Sequence, residues 1–420
     1  MDETSIRYGG GSIDLRSLFL RLTGFLQKKR VVIVKSNPEL CADILNASDT
    51  KGTFVEKMIA TPAWHPVVST ESVDGQQWQD LAAHFRSIMI QLNWRERLNP
   101  LCKKYIDSLL TRVQTDLVLA VDAEEISKIT LRILFELLFD FPISKADERL
   151  FYLASLEWRK EIGLKGTADS EIKQEFWQRL VELVGRSKFP LSSHFGSEND
   201  DLLVSAIAQP FIISPQINVS DIMVAAFQLM RDEGETWEKA KEWAKANNRA
   251  KLGGILLESI RLRHPFPILE REVPSGSKIL GQILRVKTQY FLLLDQFEQD
   301  QKFLPERWLK KSGENPYHAI PFGLGPRMCV GKPIAMEIMT ELLVSFLTEF
   351  PSDRIQPHVG HLFSGRDNDK STGIRESFYQ LKTLLGCLGQ SFLLGRASRT
   401  QSTGCPWKKS LEFLRGNSAR

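Results

Sequence analysis

What this sequence has little of narrows it first. Its five cysteines, Cys41, Cys102, Cys329, Cys387 and Cys405, form no C-x-x-C pair and no regular framework. That spacing argues against structural zinc and a disulfide scaffold, and for a reducing compartment. No run of eighteen apolar residues opens the chain, so no transmembrane helix is expected. Residues 15–26 come nearest, but Arg16 and Arg21 interrupt them, and Leu15, Leu18, Phe19 and Leu22 read as the single apolar face of an amphipathic helix. Charge of one sign is scarce as well. A dispersed excess of +4 favours neither a nucleic-acid groove nor a polybasic anchor, and leaves room for a peripheral membrane contact. Linkers rich in proline, serine or glycine and internal repeats are missing, so 420 residues are expected to form one large domain. With 42% hydrophobic and 25% charged residues, the chain can bury a sizeable core and reads as a cytoplasmic or peripherally membrane-associated globular protein.

What is there is a loop. Pro321-Phe322-Gly323-Leu324-Gly325-Pro326-Arg327-Met328-Cys329-Val330-Gly331-Lys332-Pro333 places one cysteine among glycines and runs directly into an apolar helix. Glycines permit positive φ and close approach of backbone to a flat ligand, while Pro333 sits where a helix can begin without a donor. A cysteine at a helix N-terminus is biased toward the thiolate, the form that ligates iron. The bland alternative is a buried structural thiol, since most free cysteines are small core residues.

The string F-G-L-G-P-R-M-C-V-G resembles the haem-binding loop of the cytochrome P-450 superfamily, F-x-x-G-x-R-x-C-x-G, at every fixed position. The resemblance implies a mainly α-helical fold with a minor β region and one haem b. It makes Cys329 the axial thiolate and metal ligand, Phe322 a packing residue on the proximal haem face and Arg327 a partner for a haem propionate. Residues 1–385 would form this haem-thiolate domain, and residues 386–420 remain an unassigned tail that resembles nothing. Lys408, Lys409, Gly416 and Ser418 suggest a loosely ordered end.

Along the chain, residues 30–36 read as a strand, Asn37-Pro38 as a turn and residues 39–46 as a helix. The family's N-terminal β region begins with a similar pair. The anchor and proline-rich hinge of its membrane-bound members are not seen, which leaves either a soluble member or a chain lacking its front end. Residues 51–70 are expected to be a loop that faces substrate. A helix beginning at Gly75 carries Trp78 where the family often has W-x-x-x-R; Ala82 replaces the arginine, so Trp78 alone is carried over as a propionate contact, with His84 or Arg86 as weak substitutes. Read only as a residue, Trp78 is equally a core aromatic. Residues 101–184 are mostly helical, with core stripes such as Leu131, Ile133, Leu134, Leu137 and Leu138.

Residues 211–230 should form the long helix that crosses the haem. The family pattern [AG]-G-x-[DE]-T is missing, and Ser214-Pro215-Gln216-Ile217-Asn218 takes its place, with Ile217 for the acid and Asn218 for the threonine. Asparagine can hydrogen-bond oxygen or water but cannot relay a proton as a hydroxyl does. Pro215 either kinks this helix and opens a groove, or starts it behind a Ser214 cap; the residues alone leave both open. Downstream, Glu258 and Arg261 form E-x-x-R, and Phe303-Leu304-Pro305-Glu306-Arg307-Trp308 resembles the family's F-x-P-E-R-W, so Glu258, Arg261 and Arg307 are expected in one buried network. Arg271 falls where the family has a second propionate-binding arginine. Residues 334–350 read as an apolar helix ended by Pro351.

The first expectation is therefore an electron-fed monooxygenase acting on a lipophilic small molecule, as in secondary metabolism, with Asn218 positioning oxygen or water. Its electrons would come from an NAD(P)H-dependent reductase or a ferredoxin. The second is an isomerase or dehydratase of peroxide-type substrates that needs no external electrons. The third is a non-catalytic haem-binding relative. No nucleic-acid partner is expected.

Overall fold

The structure is a computed structural model, and the residues it describes are 15–35, 37–52, 55–117, 121–186, 200–266, 268–294, 302–310, 314–350, 354–355 and 374–400. Fourteen α-helices and five short strands lie among the described residues.

The N-terminal strand is β1 (Arg30–Val34), with Ser36 outside the described residues. It pairs in parallel with β5 (Thr288–Leu293), and β5 pairs antiparallel with β2 (Ile268–Val273), giving the order β1-β5-β2. A separate hairpin joins β3 (Lys278–Ile279) to β4 (Gln282–Ile283). The helix after β1 is α2 (Pro38–Ala47): Asn37 caps it by accepting from the Leu40 amide at 2.9 Å, and Pro38 fills a first-turn position that needs no donor.

Residues 51–70 are not simply a loop, because α3 (Val55–Trp64) lies within them, with Trp64 buried against Trp158. The expected helices follow as α4 (Gly75–Gln91), α5 (Trp94–Gln114), α6 (Ala123–Phe139), α7 (Lys145–Ile162) and α8 (Ser170–Arg186). On α6, Leu131, Ile133, Leu134, Leu137 and Leu138 are all buried, each contributing about 1.5–3 kcal/mol by leaving water. Side-chain caps fix the start of α6 at Asp122 and of α7 at Ser144.

The central helix is longer than its sequence pattern suggests. It runs from α9 (Asp200–Ile207) through a π-helical segment (Ala208–Ile213) into α10 (Ser214–Asp232). The alternative helix start at Ser214 is thereby excluded: Ser214 is helical at φ −62°, and its amide bonds back to the Gln209 carbonyl, five residues earlier. Pro215 does disturb the ladder, and the disturbance takes the form of a π turn. Residues 201–232 are long and apolar enough to cross a membrane, but 72% of their most apolar window is buried inside the protein, as in the core helix of a globular domain.

Next come α11 (Gly234–Lys245), α12 (Arg249–Leu262) and α13 (Lys332–Thr348); Pro351 lies outside the described residues. The chain's last described element is α14 (Ile374–Thr400), so residues 385 and 386 lie inside one helix; residues 401–420, including Lys408, Lys409, Gly416 and Ser418, are outside the description.

One expectation holds only in part: in α1 (Leu15–Gln27) the buried row is Leu20, Thr23 and Gln27, and of the apolar face expected from spacing Phe19 packs on a small core cluster while Leu18 and Leu22 are exposed. The helix is apolar on two sides, so periodicity alone could not choose between them.

Candidate active site

The loop that carries Cys329 is pinned from its first residues. His264, wholly enclosed, bonds the Ile320 carbonyl through Nε2 at 3.1 Å, and its Nδ1 accepts from the Phe266 amide at 3.0 Å. The Cys329 amide then closes the loop onto the Phe322 carbonyl at 2.8 Å, and the Met328 amide bonds the Gly325 carbonyl at 3.1 Å. Gly323 (φ +70°) and Gly325 (φ +72°) both take the left-handed region, and a Cβ on Gly325 would come within 2.4 Å of the Leu45 carbonyl oxygen. Gly325 is therefore required twice over. Lys332 and Pro333 begin α13 directly behind the cysteine, as the sequence implied.

Cys329 is exposed, yet burial is the largest influence on its thiol and raises its pKa. The Gly331 and Lys332 amides donate to it and pull the pKa back down, as does the Lys332 charge, while Glu71 opposes them. The helix-terminal bias toward thiolate is thus real but smaller than desolvation; the charge of a bound metal ion would supply the rest. Phe322 is half-buried against the main core, with the Lys332 ammonium over its ring at 5.6 Å.

Arg327 and Trp78 are brought together: the guanidinium lies over the indole at 4.6 Å. Its donors, however, are engaged with protein. Nη1 bonds the Thr70 carbonyl at 2.8 Å, Nη2 bonds the Val73 carbonyl at 2.8 Å and the Asp74 carboxylate at 2.5 Å, and Nε bonds the Asp49 carbonyl. Asp74, four residues ahead of Trp78, also accepts from the Lys51 and Gly52 amides at 2.9 Å each. No motif marked Asp74, because its partners are far away in sequence. Arg86 faces solvent, while Ala82 and His84 are buried, and burial lowers the His84 pKa against the pull of Asp80.

Arg271 is buried on β2, opposite Tyr290 on β5, with one Nη1 donating to the Glu270 carbonyl at 2.7 Å. Its neighbours two residues away, Leu269 and Val273, point to the same side of the sheet and pack with Ala319, Ile320 and Leu324 at the start of the cysteine loop.

Glu258, Arg261 and Arg307 meet in one network. Arg261 bonds Glu258 at 2.8 Å and 3.0 Å, Arg307 approaches it at 3.0 Å, and both guanidinium groups lie over the Tyr317 ring. Sequence reasoning did not anticipate two further donors to Glu258: the Trp308 indole at 2.8 Å and the Leu304 amide at 3.1 Å. Gly254 permits this closeness, since a Cβ there would meet the Pro305 carbonyl oxygen at 2.5 Å.

Asn218 lies on α10, five residues past the π segment. Its Oδ1 is buried and accepts no hydrogen bond among the described residues, while Ile217 beside it is fully within the core. Gln216 turns its amide back onto the Ile212 carbonyl at 2.8 Å. Gln209 in the π segment accepts from the Thr70 amide at 2.8 Å, so Thr70 touches Arg327 with one end of its backbone and the central helix with the other.

An exposed thiol just ahead of a helix, met by two amide donors, is a donor that fits an iron-bearing group. Comparison with known proteins agrees. The family profile described as Cytochrome P450 matches residues 235–359, a segment that contains Glu258, Arg271 and Cys329. Cytochrome P450 315a1, mitochondrial, of Drosophila melanogaster is 29% identical over 149 residues, covering 31% of this chain and 28% of the relative. The mitochondrial 1,25-dihydroxyvitamin D(3) 24-hydroxylase of Rattus norvegicus is 36% identical over 110 residues, 24% of this chain and 21% of the relative. Methyltetrahydroprotoberberine 14-monooxygenase of Papaver somniferum is 21% identical over 228 residues, 48% and 42% respectively. Each match spans less than half of the relative's length. Among solved structures, a six-coordinated cytochrome P450 from Thermus thermophilus superposes with a TM-score of 0.57 at 18% identity, covering 81% of this chain and 91% of that one. At that identity the likeness is one of fold.

Proposed function

The chain belongs to the cytochrome P450 superfamily, and from that premise we propose that it is a haem-thiolate monooxygenase that inserts one atom of dioxygen into a lipophilic small molecule. The observation that carries this reading is Cys329: an exposed thiol just ahead of α13, met by the Gly331 and Lys332 amides. Haem b, when bound, would supply dioxygen binding and activation, with the thiolate's electron density favouring O–O cleavage.

The chain's own residues would do the rest. Cys329 would hold the iron, its charge steadied by two amide donors, with Phe322 packing against the bound group and Trp78 and Arg271 available to its propionates. Arg327, already bonded to Asp74, could hold a propionate by exchanging that bond, one carboxylate for another. Asn218 offers an unfilled acceptor and an amide donor, enough to orient a water or a substrate hydroxyl, but an asparagine does not relay a proton as a hydroxyl does. Electrons would come from an NAD(P)H-dependent reductase or a ferredoxin. A lipophilic substrate is supported by relatives named for 1,25-dihydroxyvitamin D(3) and methyltetrahydroprotoberberine.

A second reading, rearrangement of a peroxide-type substrate without external electrons, is favoured by one observation: Ile217 and Asn218 occupy the places of the proton-handling acid and threonine. The deciding experiment is a reduced carbon monoxide difference spectrum of wild type and Cys329→Ala, followed by turnover with and without an electron source. A thiolate-type spectrum lost in the variant, with product only when electrons are supplied, is expected. The same spectrum in Cys329→Ala overturns the assignment of the ligand, and turnover of a peroxide without electrons overturns the monooxygenase reading.

A further inference from the structure

Asp74 sits in a place made for a carboxylate. Gly52 takes φ +75°, so its amide and that of Lys51 converge, and each donates to one oxygen of the Asp74 side chain at 2.9 Å. Consecutive amides turned to one side in this way form a concavity that binds anions. The Arg327 guanidinium completes it from the cysteine loop at 2.5 Å, and the Lys57 ammonium lies 3.7 Å away. Two backbone donors and two cations thus meet one acid whose side chain is only 14% exposed.

Arg327 is enclosed more tightly still, with its side chain 4% exposed over the Trp78 ring. Beyond Asp74 it donates to the carbonyls of Asp49, Thr70 and Val73, and of these four acceptors only Asp74 carries a charge. A second carboxylate brought to this guanidinium either displaces Asp74 from it or lies beside Asp74 as a like charge. In the first case one charge-assisted bond replaces another, and in the second repulsion offsets the new bond, so both reduce what the arriving group gains.

We propose that Asp74 is a competitor, built into the chain, for the carboxylates of haem. It holds Arg327 against the turn at Lys51 and Gly52, gives way when a propionate takes the guanidinium, and keeps small the share of haem affinity that those carboxylates supply. Asp74 is therefore a positioning residue that acts through Arg327. The proposal rests on the haem-thiolate reading above and goes beyond it in saying what sets the strength of cofactor capture.

The test titrates the haem-free full chain with haemin and with haemin dimethyl ester, whose propionates are uncharged, in wild type and in Asp74→Asn. Within each protein the ratio of the two dissociation constants measures what the carboxylates contribute, so a general loss of stability in the variant cancels. The preference for haemin over its ester should rise roughly tenfold in Asp74→Asn. A second measurement needs no variant and decides the matter where Asp74→Asn does not fold. Amide exchange at Lys51 and Gly52 in wild type should be roughly fivefold faster with haemin bound than with the ester, because only haemin draws Asp74 off the guanidinium. An unchanged preference in the variant, or equal exchange with the two porphyrins, overturns the proposal; the haem-thiolate reading survives that result when wild type still gives a thiolate-type carbon monoxide spectrum. Failure of wild type to bind either porphyrin overturns both.

Discussion

Glu258 on α12 and Asn218 on α10 sit on buried helices that pack against each other, yet they are treated oppositely. The Glu258 carboxylate is met by two arginines, an indole and a backbone amide, while the Asn218 oxygen accepts nothing among the described residues. The same contrast runs through the surroundings. On the Glu258 side His264, Gly254 and Gly325 each fill a place that no other residue type could fill without strain or loss of a bond. On the Asn218 side the helix ladder changes register and leaves an acceptor open. The difference teaches that the half expected to hold the cofactor is over-determined, and that the half expected to handle substrate is left chemically unfinished.

That comparison can be broken at its strongest point first. Glu258→Ala would leave Arg261 and Arg307 as uncompensated buried charges, and should cost roughly 3–5 kcal/mol, read as a collapse in the yield and denaturation midpoint of folded protein. Unchanged stability would show that the network is not what holds this side together.

His264 gives a pH test of the same side. Burial pushes its pKa from the ordinary 6.5 down to about 4, so the native state keeps it neutral where the unfolded chain would protonate it. Its contribution is complete above pH 6.5 and is lost as pH falls toward 4, amounting to roughly 3 kcal/mol across that window. Melting temperature against pH should show the slope in wild type and a flatter profile in His264→Gln.

The two loop glycines sharpen the contrast between strain and clash. Gly323→Ala meets only an ordinary contact with the Met328 Cα at 4.0 Å and bears the left-handed backbone, about 1 kcal/mol, whereas Gly325→Ala adds collision with the Leu45 carbonyl and should cost about 2–3 kcal/mol. Equal midpoints for the two variants would count against the close approach of α2 to the loop.

The smallest effect is expected on the other side. Asn218→Ala removes no hydrogen bond of its oxygen, so stability should change by less than about 0.5 kcal/mol while product formation falls. A stability loss as large as that of Gly325→Ala would mean that Asn218 is a packing residue, and would end its candidacy as the group that orients oxygen or water.

The parts of the molecule that the sequence made legible are those whose partners come in fixed order. The cysteine loop, the pair Glu258 and Arg261 and the downstream Arg307 each sit inside a local string with its own spacing. Asp74 carries no such string: its bond to Arg327 spans more than half of the chain, and a lone acid ahead of a tryptophan says nothing about that. The α1 face was read only in part because both sides of that helix are apolar, and the choice was made by packing against α14, a helix that no local resemblance located. Pro215 announced a disturbance but not its form, since a missing donor can end a helix, bend it or widen it, and only the neighbouring register decides.

Pro210 lies within the π segment and Pro215 just after it, and neither ring nitrogen carries a hydrogen. In an α register the carbonyls of Ala206 and Phe211 would go without donors; in a π register those of Ser205 and Pro210 would. In a uniform register of either kind, two carbonyl oxygens midway along a buried helix would look outside the ladder for a donor, to a side chain, a ligand or water. Gln216 already serves a third, at Ile212. The change of register at this point therefore answers the covalent chemistry of two rings that bring no donor to the ladder.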